Sequence, residues 1–334
     1  MTSFRKTVCC LAAAVLSLGI IPQAFAQAEL TLTPRAEVNF THGEGDETDF
    51  GFTSLYSFLD GSIGEKFSYS ASFHFLSTDP KSLYSYESPF QDGTWIDWAY
   101  LSYDGGLFGV DFGKVVLNMG GFEFDKNDVD CYAPMVSDYW NSLCIYQPGI
   151  TFRLTPWDTQ SFEAQLTASP MMTGLSDVTL AASAAWRGEF GAFSTYWAAN
   201  LQRWDVEDEV RGNYLCVGLG NRYSFENADL TLDLFYGPAV GKFDSGNFEA
   251  TLRADYRPSD RLSLGLMGGC RPSGYVSAGA QVEYFPLRDD KLRFHFAASD
   301  RYLDVPEGVP ETAGASRHLL VLSLGLTANL HIGL

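Results

Sequence analysis

The chain has 334 residues, of which 46% are hydrophobic and 15% aromatic, and its formal net charge is −19. This charge excludes nucleic acid as a general partner, because such binding depends on lysine and arginine side chains that neutralise phosphates. The 32 glycines, 17 tyrosines and 25 phenylalanines predict aromatic-rich strands joined by tight turns. Acidic exposed segments of this kind keep an exported protein soluble or bind divalent cations.

The N-terminus has the features of a secretory signal peptide. Arg5 and Lys6 form a basic region, Val8 to Ile21 form an apolar core, and Ala24 to Ala26 form a cleavage site. The apolar run is shorter than the about 20 residues that a membrane-spanning helix needs. We therefore expect residues 1–26 to be removed on export and residues 27–334 to form one mature domain.

After the signal, apolar and polar residues alternate in about sixteen segments. Successive side chains of a β-strand point to opposite faces, so each segment has one apolar and one polar face. The predicted strands cover residues 30–41, 50–58, 67–75, 94–103, 107–117, 150–155, 162–168, 178–186, 193–201, 214–223, 230–236, 248–256, 262–268, 276–284, 292–298 and 318–334. The facing of the fourth segment is ambiguous, and the glycines of the fifth predict a bulge or a close backbone approach.

The last segment, His318 to Leu334, shows the alternation most clearly. Leu320, Leu324 and Leu326 share one parity, and polar residues such as Thr327 share the other. A transmembrane β-strand needs about 9–11 residues of this pattern, more than the five or six of an ordinary globular strand. This segment therefore predicts a strand with one face in lipid and the other in water.

The connections between the segments alternate between short and long. Compact turns are predicted at residues 60–65, 104–106, 156–160, 188–191, 226–229, 258–261 and 286–291. The connections at 205–211, 237–246 and 300–316 are longer or more acidic. Bacterial outer-membrane barrels have short periplasmic turns and long external loops. The sequence therefore predicts an all-β fold, a transmembrane antiparallel β-barrel of about 16 strands whose interior is wide enough for water.

Charged residues concentrate on the face opposite to leucine, valine and phenylalanine. If those apolar residues face lipid, the charges face the lumen, because an arginine or lysine at the lipid midplane costs roughly 2–4 kcal/mol. The same charges can also simply pair across strands and solvate the wall. The predicted lumen wall comprises Arg35, Glu37, His74, Arg153, Arg187, Arg222, Arg253, Arg257 and Arg293.

The third long connection, Asn118 to Ile145, mixes acidic residues with large aromatic ones and has no predicted regular structure. A loop of this length is uncommon unless it is functional. We expect it to fold inward and narrow the pore; the alternative is a lid packed over the barrel mouth. The predicted constriction residues are Glu123, Asp125, Lys126, Asp128, Asp130 and Asp138.

Two cysteines lie in this same loop. A disulfide between Cys131 and Cys144 would close a ring of about 14 residues and restrain the loop by roughly 3 kcal/mol in the chain-entropy view. An oxidising compartment outside the cytoplasm permits such a bond. We therefore predict that this bridge pins the constriction.

One stretch resembles a known family. The run Trp98 to Tyr103, a glycine turn, the run Phe108 to Lys114 and a long loop with Gly120 to Glu123 are similar to the phosphate-selective porin O and P family. The resemblance implies a sixteen-stranded porin whose third loop folds into the pore. It also implies anion selectivity through basic residues, whereas Lys126 is the single basic residue from Asn118 to Cys144. We therefore expect a general pore with a weak cation preference.

The predicted function is passive diffusion of small hydrophilic solutes or ions, in contact with outer-membrane lipid. A barrel hydrolase is one alternative, and it would need a Ser/His or Asp/His arrangement at the rim. A structural or adhesin-like barrel without an open pore is the other. None of the five histidines lies in a nucleophile motif, and no cofactor or metal motif is visible in the sequence. We therefore expect no enzymatic activity and no cofactor, and a homotrimer remains open.

Overall fold

The computed structural model describes residues 26–43, 47–49, 53–74, 96–141, 145–169, 180–206, 210–237, 248–272, 274–303 and 318–333. Among these residues no helix has the length and apolar character needed to cross a bilayer. Residues 1–25 and Cys144 lie outside the described ranges. The signal peptide of residues 1–26 and the domain limits 27–334 therefore stay predictions.

The described residues form eighteen strands in one antiparallel sheet. In chain order they are β1 (Ala26–His42), β2 (Glu47–Asp49), β3 (Ser54–Ile63), β4 (Phe67–His74), β5 (Ile96–Asp104), β6 (Phe108–Val116), β7 (Tyr146–Trp157), β8 (Gln160–Ala168), β9 (Leu180–Phe190), β10 (Phe193–Val206), β11 (Val210–Ser224), β12 (Ala228–Tyr236), β13 (Phe248–Ser259), β14 (Leu262–Arg271), β15 (Tyr275–Tyr284), β16 (Leu292–Leu303), β17 (His318–Ala328) and β18 (Leu330–Gly333).

Sixteen of these strands close a ring. β1 pairs with β3 along one edge and with β17 along the other, and every strand from β3 to β16 pairs with the next one in the chain. β18 continues β17 along β1 after a break at Asn329, and β2 pairs with β1 beyond the end of β3. Closure leaves no sheet edge unpaired, which hydrocarbon surroundings demand. The predicted antiparallel barrel of about sixteen strands is confirmed.

The barrel is apolar outside and polar inside, the reverse of a soluble protein. In β17, Leu324 is 62% exposed, whereas Ser323 and Thr327 are buried. The same alternation holds in β6 and β7, where Phe112 and Phe152 are exposed and Thr151 is buried. Exposed apolar residues in continuous bands are rare on water-soluble monomers and typical of a surface that meets lipid.

Replacing Leu324 with arginine should destabilise the barrel. Leu324 lies in the middle of β17, where a charge would sit in hydrocarbon at a cost of roughly 2–4 kcal/mol. Urea unfolding in lipid vesicles should show this loss of free energy. Leu287→Arg is the matched control, because Leu287 is also exposed but lies in the turn between β15 and β16. Equal losses for both variants would contradict a membrane-facing β17.

Several predicted turns lie inside strands instead. Asp60 and Gly61 belong to β3 and pair with strands on both sides, and the turn follows at residues 64–66. Arg187 to Glu189, expected to reverse the chain, belong to β9, which continues to Phe190. The predicted turn residues Pro156 and Trp157 belong to β7. Pairing with both neighbours extends β3 and β9 through residues that favour turns on their own, and pairing of Trp157 with Gln160 of β8 extends β7.

The facing of β3 also differs from the prediction. Tyr56 is buried and its ring lies 5.8 Å from that of His74, a predicted lumen residue. Phe58, expected to face lipid, stacks with Tyr56 at 6.1 Å on the same face. The polar residues Ser54, Asp60 and Ser62 share this parity, and that signal would have shown the face to be the lumen side.

The predicted irregularity of the fifth segment is confirmed at Gly113. This residue has φ +143°, and a Cβ there would lie 2.3 Å from the Ala99 carbonyl oxygen. Gly113 pairs with Gly149 of β7. On the loop side of this glycine pair the alternation shifts, so that Val116 and Tyr146 line the lumen.

Candidate functional site: a constriction inside the barrel

The connection from β6 to β7 enters the barrel, so the predicted inward fold of the third loop is confirmed. Within it lie three 3₁₀ helices, Phe122–Asp125, Asp128–Asp130 and Ala133–Met135, and the helical turn α1, Asp138–Asn141. The sequence predicted no regular structure here. Helices of three or four residues are too short to produce a periodic pattern.

The loop enters along the backbone of β10 and β11. Gly120 has φ +71°, and a Cβ on it would lie 2.2 Å from the carbonyl oxygen of Gly218. The backbone N–H of Gly121 donates to the carbonyl oxygen of Tyr196 at 3.0 Å. Glycine is required at position 120 because the conformation and the lack of space both exclude a side chain.

Two carboxylates of the opposite wall hold the loop by its main chain. Asp233 of β12 accepts hydrogen bonds from the N–H groups of Phe122 at 2.9 Å and Glu123 at 3.0 Å. Glu249 of β13 accepts from the N–H of Tyr139 at 3.0 Å. Hydrogen bonds to ionised acceptors are among the stronger ones in proteins. The parity pattern placed both acids in the lumen, but no local signal indicated that they bind the loop.

An apolar cluster supports the same part of the loop. The ring of Phe124 lies 5.5 Å from that of Phe235 on β12, and the ring of Tyr139 stacks on Phe235 at 4.9 Å. Leu117, Met119, Ile145 and Cys216 complete the cluster. The loop is therefore held by packing as well as by hydrogen bonds.

The second half of the loop rests on a buried charged group of β1 and β16. Arg35 pairs with Glu37 and donates to the Val129 carbonyl oxygen at 3.1 Å. Arg293 donates to the same carbonyl oxygen at 3.0 Å and pairs with Asp130. These three predicted wall residues lie behind the loop, where they anchor it instead of lining an open channel.

Tyr132 is the aromatic anchor of this half of the loop. Its ring stacks on His295 with centroids 4.0 Å apart, and its hydroxyl donates to Glu283 at 2.6 Å. Both partners lie on the barrel wall.

The acidic residues predicted to form the constriction mostly have partners. Asp125 forms two hydrogen bonds with Arg187, at 2.7 and 2.8 Å. Asp128 accepts from the Tyr146 hydroxyl at 2.9 Å. Glu123 is buried and accepts from the N–H of Ser137 in the same loop at 2.6 Å. The side chain of Asp138 lies outside the described set.

Burial changes the titration of two loop acids. It raises the pKa of Glu123 from its ordinary 4.5 to about 7, against the lowering effect of the Ser137 N–H. Burial and the nearby Asp97 carboxylate raise the pKa of Asp128 to about 6. The pKa of each acid is higher in the folded state than in the unfolded state. Its contribution to stability is therefore fully present below the unfolded-state pKa and is lost as pH rises through the folded-state pKa.

Replacing Glu123 with glutamine should flatten the pH dependence of stability. The wild-type free energy of unfolding should fall between pH 4.5 and about 7, with Glu123 contributing about 3 kcal/mol. Glutamine keeps the acceptor for the Ser137 N–H but does not ionise. The measurement is the urea midpoint at a series of pH values, and a variant as pH-dependent as the wild type would contradict the expected titration of Glu123.

The remaining predicted wall residues form local pairs. His74 pairs with Asp97 at 2.6 Å, and Arg253 pairs with Asp255 at 2.7 Å. Arg153 bridges Asp111 at 2.6 Å and Glu163 at 3.4 Å. The Arg222 guanidinium lies 4.0 Å from the centroid of the Phe122 ring. Arg257 is exposed near a turn, 5.1 Å from the Phe285 ring, and lies outside the constriction.

An open space remains between the loop and the wall on the β4–β9 side, which we call the side cavity. It has a volume of about 280 Å³. Its lining includes Trp98, Tyr100 and Tyr146 from the wall and Asp125, Lys126 and Asn127 from the loop, together with Arg187. Among the predicted constriction residues whose side chains the structure describes, Asp125 and Lys126 line this cavity.

Cys131 of the loop is buried. Its predicted disulfide partner Cys144 is not among the described residues, so the bridge stays a prediction. In the described part of the chain, no three histidine, cysteine or carboxylate side chains converge as metal ligands.

No protein-family model and no curated protein matches the sequence. Solved structures do match. An anion-selective porin from Comamonas acidovorans aligns with a TM-score of 0.63 at 11% identity, over 91% of this chain and 100% of that one. The outer membrane channel DcaP of Acinetobacter baumannii aligns with a TM-score of 0.63 at 12% identity, over 92% and 99%. OmpT, an outer membrane protein of Vibrio cholerae, aligns with a TM-score of 0.59 at 9% identity, over 93% and 100%.

These similarities establish the fold. The chain has the sixteen-stranded barrel fold of outer-membrane porins. The finer resemblance to the phosphate-selective porin O and P family rests on the motifs of residues 98–123 and stays a prediction.

Proposed function

We propose that this protein is an outer-membrane porin that forms a water-filled channel for passive diffusion of small hydrophilic solutes or ions. One observation carries the proposal: a loop anchored inside a polar lumen leaves a cavity of about 280 Å³ beside it. A loop docked within the barrel restricts the cross-section without filling it. The apolar exterior supports a location in the outer membrane after export through a cleaved signal peptide.

The selectivity that we propose is weak, with a preference for cations. Asp125 and Arg187 neutralise each other at the cavity, and Lys126 is the further charge there. The net charge of −19 of the whole chain raises the local concentration of cations and lowers that of anions. The positive charge of Lys126 at the constriction limits the cation preference that the acidic surface produces.

Planar bilayers test both parts of the proposal. Purified protein should produce stepwise ionic currents, and reversal potentials under a salt gradient should show a small cation preference. A clear anion preference would refute the proposed selectivity, and an absence of current would refute the channel itself.

We infer that the barrel is not an enzyme. His74 and Asp97 form a pair, but the Ser72 hydroxyl donates to Asp97 at 3.0 Å and not to the imidazole. This geometry does not activate Ser72 as a nucleophile. Liposome assays for lipid and peptide hydrolysis test this inference, and swelling of proteoliposomes in sugars separates an open pore from a plugged structural barrel.

We further propose that a homotrimer forms. One of the Vibrio cholerae OmpT structures is described as a trimer form. On the outside of this barrel, Ala164, Ala184 and Ala199 are cross-strand neighbours on β8, β9 and β10. Small side chains allow close approach of another protein within a membrane. Ala184→Trp should raise the monomer fraction in native mass measurements if this row lies in the interface.

We also propose that a disulfide between Cys131 and Cys144 restrains the loop. Mass measurement with and without reduction tests this bridge. The disulfide-linked protein should have two hydrogens fewer than the reduced protein, and the difference should lie in the peptides that contain the two cysteines.

A further inference from the structure

One side of the lumen carries four aromatic rings in successive contact, those of Tyr56, Phe58, Trp98 and Tyr146, and Tyr100 lines the side cavity with Trp98 and Tyr146. We call these five residues the aromatic wall. The Phe58 ring lies 5.8 Å from Trp98, and Trp98 lies 5.7 Å from Tyr146. Trp98, Tyr100 and Tyr146 line the side cavity. Polar groups usually line a water-filled channel, so a row of rings in the narrow part of the lumen needs an explanation.

The loop side of the side cavity carries polar groups beside the apolar side chains of Leu117, Phe124 and Ile145. Asp125, Lys126 and Asn127 face it from the loop, and Arg187 faces it from β9. Arg187 is held in place from two directions, because its guanidinium lies 3.4 Å from the Tyr196 ring centroid and forms two hydrogen bonds with Asp125. The polar side therefore presents fixed hydrogen-bond donors and acceptors across from the rings.

We propose that the side cavity is a binding subsite for a neutral pyranose sugar on its way through the channel, an inference that rests on the proposed channel function. A pyranose has apolar C–H faces that pack on aromatic rings and a rim of hydroxyl groups that donate and accept hydrogen bonds. The aromatic wall matches the face, and the loop side matches the rim. The volume of about 280 Å³ lies near the lower end of small-molecule sites, which suits one sugar ring.

The charges of the site favour a neutral ligand over an anion. A ring-shaped carboxylate would use the donors of Lys126 and Arg187, but it would meet the carboxylate of Asp125 at the same site. The net charge of −19 also disfavours the approach of anions. A polyhydroxylated ring can use donors and acceptors alike without adding charge.

The site predicts that sugars interrupt the ionic current. In planar bilayers, glucose at millimolar concentrations should produce brief, concentration-dependent interruptions of single-channel current. Mannitol, an acyclic hexitol with a similar set of hydroxyl groups but no ring face, should produce about tenfold fewer at equal concentration. Because only inserted barrels carry current, each variant that conducts is also shown to be folded.

Trp98→Ala should raise the glucose concentration for half-maximal interruption about tenfold, since it removes the central ring of the aromatic wall. Trp98→Phe keeps a ring and should retain most of the effect. The matched control is Trp157→Ala, which removes a tryptophan that is exposed on the outside of the barrel; it should behave as the wild type.

Three results would overturn the inference while leaving the channel intact: equal interruption by glucose and mannitol, unchanged interruption in Trp98→Ala, or stronger interruption by benzoate than by glucose. An absence of ionic current would instead refute the proposed channel function, and the subsite with it.

Discussion

Single-channel conductance should rise severalfold when Asp233 is replaced by alanine. The carboxylate of Asp233 is the acceptor for the backbone N–H groups of Phe122 and Glu123, where the loop turns into the lumen. Without it, two buried donors lack an acceptor at a cost of about 1–3 kcal/mol each. The first half of the loop should then leave the wall, and the cross-section at the constriction should widen.

Planar-bilayer recordings of wild type and variant measure this effect directly. Asp229→Ala is the matched control, because Asp229 lies at the turn end of the same strand and should leave the conductance unchanged. Adding Glu249→Ala to Asp233→Ala should increase the effect, since Glu249 binds the loop at Tyr139. If the conductance of Asp233→Ala equals that of the wild type, the loop does not depend on this carboxylate.

Replacing Arg35 with methionine should cost about 3–5 kcal/mol of unfolding free energy. Arg35 and Glu37 are each only 2% exposed, so removal of the arginine leaves a buried carboxylate with less compensation. The variant also lacks the donor to the Val129 carbonyl oxygen that fixes the second half of the loop. Urea unfolding in lipid vesicles measures the loss through the shift of the midpoint at constant slope.

Two further variants test the stated cause. The double variant Arg35→Met, Glu37→Met should recover most of the lost stability, because it removes the buried charge together with its partner. Lys291→Ala should change little, since its ion pair with Asp289 at 3.2 Å is exposed at the surface. A double variant as unstable as Arg35→Met would show that packing, and not charge, is the cause.

Local pattern predicted most of the barrel because period-two alternation is a property of each strand by itself. The segments at 67–75, 193–201 and 318–334 were recognisable without knowledge of their neighbours. The ends of strands were predicted less well where pairing with a neighbouring strand determines them. Asp60 and Gly61 have the character of a turn, yet pairing with β1 and β4 keeps them in β3.

The candidate site was predicted only in part. Length and composition indicated that residues 118–145 fold inward, and this is confirmed. The same composition suggested an acid-lined constriction, but the carboxylate of Asp125 faces Arg187 and that of Glu123 is buried and bonded to the Ser137 N–H within the loop. These contacts join residues separated by 62 and 14 positions, so no local spacing predicts them.

Alternation and length along the chain were enough to predict the lipid face of most strands, although not that of β3, and the entry of a long loop into the lumen. The tertiary contacts were needed to show which charges at the constriction are paired and that Trp98 and Lys126 line the same cavity. Closure of the barrel brings distant strands and the loop into contact. The burial and the ion pairs of each side chain depend on these contacts, and therefore on residues that are distant in the sequence.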